Sequence, residues 1–419
     1  MKSYSFLNKW IKKQRKNNVI TLVKKNFESI EDWDFNGSEI FHNTRSFFKI
    51  NAFQFEQKTL KKKWYQPLII QKEVGILGII KKVINNKDHY LLQAKTEPGN
   101  KNGIQLSPTV QATKSNYLRK HKGKKTNYIN YFLNKNFNQN FISKKRLSEQ
   151  GSRYLEKSNF NILTETKKLK LKKNYIWVNK DDLKKLINKK NLINMDTLSV
   201  FSSCIKKLTQ EKSEEDFIKF KKLVNKFKKR NYIKKKKISF YKLKNWKIKK
   251  DKIFDKNKNF FFIKFFKVYA SSREIKSWSQ PLLSDFSKNL NIFLIKKFGN
   301  NNYYLLKIIS EPGLRSAIFT STVNIRNYDK KKNYKNIDYY DFLIKKRIYS
   351  KFVFSDEGGR FYRNETYNLI KILNKKERFI KKKNFYWFSH NQVIDLINKN
   401  LLSIEARNLF ACFNIDKIK

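Results

Sequence analysis

Two stretches of the chain concentrate the side chains that could bind and transform a polar ligand: EPGNKNGIQLSPTVQATKSNY at 97–117 and SEPGLRSAIFTSTVNIRNY at 310–328. In the first, Thr113, Lys114, Ser115, Asn116 and Tyr117 gather hydroxyls, amides, a cation and a phenol, a set suited to a ligand bearing many hydroxyls and a phosphate group. The same residue types also build Asx and Ser/Thr turns, so composition alone leaves a hydrogen-bonded loop as the alternative. Each stretch opens with Glu-Pro-Gly, a turn signal in which Glu97 and Glu311 could do no more than close a hairpin. A second pair, SEQGSRY at 148–154 and SDEGGRF at 355–361, sets glycines beside an arginine. Close backbone approach and a bidentate guanidinium suit Arg153 and Arg360 to a diphosphate, the alternative being an Arg paired to its neighbouring Glu. Trp64 and Trp278, each followed by x-Gln-Pro, can stack on a base or fill the core.

Other chemistries lack their residues. The four histidines, His42, His89, His121 and His390, show no HExxH or other ligand spacing, so no metal site is expected. There is no P-loop, and GILG at 75–78 lacks the third glycine of a dinucleotide fingerprint, so no nicotinamide cofactor is expected. Cys204 and Cys412 end apolar helical patterns and read as buried thiols.

The elements that must position these motifs come in duplicate. KWYQPLI around Trp64 returns as SWSQPLL around Trp278, HYLLQAKTEPG returns as YYLLKIISEPG, and Trp177 in the closing segment corresponds to Trp387. Read as a gapless alignment, FFKINAFQFEQKTLKKKW sets Phe47 against Phe261. The alternating, Phe-, Ile- and Val-rich segments before each Trp, and the runs YLLQAK and YLLKII, predict strands. Leu183, Leu186 and Ile187, and Val393, Leu396 and Ile397, have helical spacing. The fold class is α+β, a tandem duplication with a first repeat over 1–230 and a second over 231–419. A helix with Phe217, Phe220, Leu223 and Phe227 on one face, opened by Ser213, is expected to close the first repeat, followed by a basic connector.

The 419 residues carry 95 Lys and Arg against 34 Asp and Glu, a formal net charge of +61. Such basicity is the footprint of nucleic-acid binding, but it is spread evenly, and abundant Lys, Asn, Ile, Phe and Tyr with only 11 Gly and 5 Pro is the pattern that AT-rich codons impose. Runs such as KKKK at 234–237 and KKK at 381–383 therefore read as solvated faces and loops. No apolar stretch reaches membrane-spanning length, and the N-terminus has no signal-like run, so a cytoplasmic protein is expected.

At the motifs WYQPLI, EVGILG, QAKTEPGN, NGIQLSPTVQATKSNY, SEQGSRY and NMDT, then REIKSWSQPLL, SEPG, SDEGGRFY and EARNLFAC, the sequence resembles the NDP-hexose 2,3-dehydratases over nearly its whole length. The resemblance implies two Nudix-like domains without the Nudix hydrolase box, a homodimer, no cofactor, and dTDP-4-keto-6-deoxyglucose as substrate. The product would be a 3,4-diketo-2,6-dideoxy sugar nucleotide, passed to a separate 3-ketoreductase. The family's binding motifs fall on Trp64, Thr113 to Tyr117, Ser152 and Arg153 in the first copy. In the second they fall on Trp278, Thr322, Val323, Asn324, Asn327, Tyr328, Glu357, Gly358, Gly359 and Arg360. Lys114, Tyr117, Glu149, Tyr328 and Glu357 are the catalytic candidates, with His121 a further one. NIRNY replaces a longer, more polar version of the second-copy motif, which places the second pocket in question. A nucleotide-sugar-binding protein without activity and a basic nucleic-acid-binding module are the rival readings.

Overall fold

The computed structural model describes every residue except 1–3, 119–124, 134–140, 209–213, 274, 300, 330, 331, 333, 335, 346, 375, 376, 378 and 381. His121 and Ser213 lie outside the described residues. Each half of the chain builds a seven-stranded mixed sheet. In the first, Gly75–Ile84 runs antiparallel to Lys87–Thr96 and parallel to Ser158–Glu165. In the second, Asn289–Phe298 runs antiparallel to Asn301–Ile309 and parallel to Glu365–Leu373. The near-continuous apolar runs ILGII and NIFLI suit such central strands, which are covered on both faces. The runs YLLQAK and YLLKII form the inner parts of Lys87–Thr96 and Asn301–Ile309, as the sequence predicts.

Helices follow each sheet where the sequence supplies caps. The Asn179 side chain accepts the Asp182 N–H at 2.8 Å to open Lys180–Ile187, and a capping box of Ser389 and Gln392 opens His390–Asn398. Leu183, Leu186, Ile187, Val393, Leu396 and Ile397 are all buried, as their spacing requires. The next helix of each half, Met195–Ser202 and Ile404–Phe413, packs on its counterpart, so one apolar cluster draws residues from both halves.

Two five-stranded sheets interlock the repeats. The strand Ile20–Lys25, early in the first repeat, pairs antiparallel with Phe262–Ala270 of the second, and Lys234–Ile238 pairs antiparallel with Lys49–Gln57 of the first. The exchange is reciprocal in detail. Trp33 Nε1 donates to the Ser279 carbonyl at 2.7 Å, and Trp246 Nε1 donates to the Tyr65 carbonyl at 2.8 Å.

One expectation is corrected. The repeats do not align without a gap: Phe55 lies opposite Trp64 but Val268 lies opposite Trp278, so the second turn is one residue longer and Phe261 corresponds to Phe48, not Phe47. The helix Glu214–Arg230 meets both repeats: its Phe220 ring lies 4.7 Å from Phe388 of the second, and the Thr59 hydroxyl of the first donates to the Arg230 carbonyl at its C-terminal end. Its apolar stripe does not encode which sheet covers it. KKKK at 234–237 is a solvated face, as the sequence predicts, carried on the strand Lys234–Ile238. Its exposed lysines sit on a sheet edge, where charge discourages pairing with another chain.

Candidate functional site

The Glu-Pro-Gly turns are where the repeats meet. Gly99 N–H donates to the Gly358 carbonyl at 2.7 Å, and Arg363 N–H donates to the Gly99 carbonyl at 2.8 Å. The mirror contacts run from Gly313 N–H to the Gly151 carbonyl at 2.7 Å and from Glu156 N–H to the Gly313 carbonyl at 2.7 Å. Each EPG turn thus lies on the Gly-Arg turn of the other repeat. Only glycine fits: a Cβ at Gly99 would stand 1.6 Å from the Phe361 oxygen, and one at Gly313 would stand 1.8 Å from the Tyr154 oxygen.

One of these junctions encloses a cavity of about 1140 Å³. The first repeat lines it with Glu97, Gln111, Thr113, Ser115, Asn116, Glu149, Lys157 and Asp196, and the second with Arg273, Trp278, Glu357, Gly359 and Arg360. Arg273 covers the Trp278 ring at 5.4 Å, and the Trp278 indole donates to Gln280 at 2.8 Å. Arg360 stacks on Phe48 at 4.1 Å and reaches the neutral amide of Gln71 at 3.4 Å, while its charge acts on Glu97 and Glu357 beside it. Two buried polar atoms, Arg360 Nε and Glu97 Oε2, have no partner within the protein.

The electrostatics of this wall separate its carboxylic acids. Burial opposes ionisation of Glu97, but Lys95 at 2.9 Å, with Arg273 and Arg360, outweighs it and holds Glu97 below the ordinary range. Glu357 is pushed up to about 7, by burial first and then by the negative charge of Glu97. The Tyr154 hydroxyl donates to Glu357 at 3.2 Å. Burial also raises Glu149, which accepts from Asn159 at 2.7 Å, and raises Asp196, which accepts from Gln111 at 2.7 Å. Burial lowers Lys157 to about 8, and its ammonium donates to the Glu73 carbonyl. Acids and a base poised on both sides of neutrality can therefore move protons within one enclosed space.

The sequence model of the family described as NDP-hexose 2,3-dehydratase matches residues 5–204 and again 218–413. The chain belongs to the NDP-hexose 2,3-dehydratase family. It is 30% identical to a dTDP-4-dehydro-6-deoxy-alpha-D-glucopyranose 2,3-dehydratase of Streptomyces violaceoruber, over 91% of this chain and 90% of the relative. Relatives of the same name from Saccharopolyspora spinosa and Amycolatopsis orientalis are 29% and 28% identical, over 92% and 97% of this chain and 86% and 89% of their own lengths. A solved ADP compounds hydrolase aligns with 37% of this chain and 84% of its own, at 11% identity and a TM-score of 0.23, a likeness too slight to carry an argument.

The family's motifs do not sort by repeat as the sequence suggests. Thr113, Ser115 and Asn116 of the first copy share the cavity with Trp278, Glu357, Gly359 and Arg360 of the second, because the turns are exchanged. Gly358 receives the Gly99 N–H beneath them. Lys114 is exposed and outside the cavity wall, and Tyr117 packs with the apolar cluster of the first sheet, since the short helix Lys114–Tyr117 buries Ser115 instead and leaves Asn116 exposed at the cavity wall. Tyr328 is also core: it stacks on Tyr334 at 5.6 Å and bonds the Tyr340 hydroxyl at 3.0 Å. Trp64 stacks on Phe55 and lies outside the cavity wall. Thr322 and Val323 are buried, the Thr322 hydroxyl donating to Leu305 at 2.6 Å, and Asn324 pairs in register with Asn291. Asn327 sits at φ +50° and caps the Phe286 N–H at 2.7 Å.

Residues that the sequence reading passed over supply much of the wall. Tyr154 and Lys157 follow Arg153 by one and four positions, yet no spacing rule marks them, because the second copy has Phe361 and Asn364 there. Asp196 lay within the NMDT motif. Glu97 lay in the EPG turn, and its role required knowing that the turn docks on the other repeat.

Proposed function

We propose that the chain is a dTDP-4-keto-6-deoxy-D-glucose 2,3-dehydratase that turns over in the cavity between the EPG turn of the first repeat and the EGGR turn of the second. The observation that carries this reading is the pairing there of an ionised Glu97 with a Glu357 poised near neutrality, beside an Arg360 whose guanidinium hydrogen-bonds neutral acceptors, the Gln71 amide and the Gly359 carbonyl. The sugar's C4 ketone acidifies the C3 proton. Glu357 takes that proton, and the electron pair moves into the C3–C4 bond, giving an enolate whose C4 oxygen Lys157 stabilises as a donor. The pair then returns to form the C2–C3 double bond, and the C2 hydroxyl leaves as water with a proton from Glu149. The product enol tautomerises to the 3,4-diketo-2,6-dideoxy sugar. A positioned acid or base is worth about 10²- to 10⁴-fold each, and a donor at the oxyanion about 3 kcal/mol.

Trp278 and Arg273 offer the nucleoside an aromatic face, while Arg360 and its Gly359 neighbour suit the diphosphate. The dimer, the cytoplasmic setting and the hand-over of product to a 3-ketoreductase belong to the same reading. Among the described residues no helix is long and apolar enough to cross a membrane. The test is mass detection of water loss from the 4-keto sugar nucleotide, with a trapping 3-ketoreductase and no added metal. Loss of one water per turnover is expected. Stabilisation by dTDP without water loss would leave only a binding protein.

A further inference from the structure

The second junction has the same turns as the first, but arginines fill it. Arg326 follows Ile325 as Thr113 follows Ala112 in the matching strand pairs, and Glu405 is the second residue of its helix as Asp196 is of its own. Asp285 stands two residues beyond Leu283, which pairs with the Arg360 carbonyl, as Gln71 stands two beyond Ile69, which pairs with the Arg153 carbonyl. Where the open cavity has Thr113 and Gln71, the second repeat therefore has a cation and an anion.

Both charges are satisfied internally. Arg326 Nη2 donates to Glu405 at 2.8 Å and to the Ser152 hydroxyl at 3.2 Å. Arg153, almost fully buried, is paired with Asp285 and stacks on Phe261 at 4.6 Å. Glu311 accepts the Gly151 N–H at 3.0 Å, and Asp356 accepts from the Gln150 amide at 3.2 Å. All of these anchors end on one short turn, 150–153. The residue immediately before it is Glu149, whose carboxylate lines the open cavity.

We infer that the second repeat's pocket has become the mount of the first. Arg326 fills it with the positive charge its carboxylates require, and clamps the 150–153 turn so that Glu149 is held at its place in the open cavity. Arg326 is thus a positioning residue, and the chain binds one nucleotide rather than two. The inference rests on the reading of the open cavity as a nucleotide-sugar site.

Calorimetry with dTDP on the wild-type chain should give one site, and two sites would overturn the closed pocket. In Arg326→Thr, kcat for water loss should fall between about 10- and 100-fold while KM changes little, and Arg326→Lys should restore most of it. An unchanged kcat in folded Arg326→Thr would overturn the positioning role. A third measurement needs neither substrate nor nucleotide. Without Arg326, the buried carboxylates of Asp356 and Glu311 lose a charge that favours their ionised forms. Their proton affinities, already raised by burial, rise further above those of the unfolded chain, so the variant should lose more thermal stability at pH 8 than at pH 5. Equal losses at both pH values would show that Arg326 does not neutralise this cluster. If Arg326→Thr fails to fold, the same comparison is made on Arg326→Lys, and an Arg326→Lys with wild-type kcat and stability supports the charge role. Failure of the dehydratase reading would instead appear as a wild-type chain that releases no water.

Discussion

At one junction between the repeats Arg360 faces the amide of Gln71 at 3.4 Å; at the other Arg153 faces the carboxylate of Asp285. The first guanidinium keeps its charge available beside a cavity of about 1140 Å³, and the second is consumed in a buried pair. Duplication supplied both junctions with the same backbone: EPG on Gly-Arg, a tryptophan reaching across, and an exchanged edge strand. The difference lies in a few side chains: Gln71 against Asp285, Thr113 against Arg326, Lys157 against Asn364. A shared fold thus carries two outcomes, and charge balance within each junction decides which one is open to a ligand.

That contrast can be broken at several points. The largest effect is expected at Glu357, where Glu357→Gln should lower kcat by about 10²- to 10⁴-fold, read by water loss, whereas Glu311→Gln, which keeps an acceptor for the Gly151 N–H, should lower it far less. A loss at Glu311→Gln as large as that at Glu357→Gln would contradict the placing of proton transfer in the open cavity. Next come the arginines. Arg360→Ala should weaken dTDP binding with modest loss of stability, while Arg153→Ala should strand Asp285 and cost about 3–5 kcal/mol of stability, measured by denaturant unfolding. A reversal of the two phenotypes would contradict the assignment of open and closed sites.

Gly99→Ala drives a methyl into the Phe361 carbonyl and should cost about 1–3 kcal/mol along with activity, since the turn that carries Glu97 is displaced. The pH profile offers a finer test. Glu357 must be ionised to accept a proton and Lys157 protonated to donate, so kcat should rise through about 7 and fall beyond about 8. Glu97→Gln removes the charge that raises Glu357 and should move the acid limb to lower pH. Lys157→Met should remove the part of the alkaline limb that its ammonium sets, leaving the part set by the ionisation of the acid Glu149. The smallest effect is expected on the surface: replacing Lys234, Lys235 and Lys236 with Ser should leave kcat and dTDP affinity unchanged. Loss of turnover there would point to a role for the basic strand that codon-driven composition does not explain.

The sequence made the duplication, the strands bearing YLLQAK and YLLKII, and the buried faces of both closing helices legible, because apolar periodicity is local. Glu149, Glu357, Trp278 and Arg360 were also legible, since their motifs carry them. Their grouping was not. Strand exchange joins motifs that lie more than 150 residues apart, and no periodicity records which copy a turn will dock on. Lys114, Tyr117 and Tyr328 illustrate the other difficulty: a hydroxyl or ammonium inside a ligand motif can point into the core or into solvent, and only the helix or sheet beneath it decides. The basic helix after residue 213 was legible from its stripe but its contact with Phe388 of the second repeat was not, since an amphipathic stripe shows that a partner exists but not which one.

The central claim is that one cavity divides its carboxylates into a base and an acid, and deuterium exchange at the sugar's C3 tests it most directly. In deuterated water, Glu149→Gln should still exchange the C3 proton of the 4-keto sugar nucleotide while losing no water, because the base remains and the acid is gone. Glu357→Gln should do neither. Full exchange and elimination in both variants, or exchange surviving in Glu357→Gln, would contradict the account.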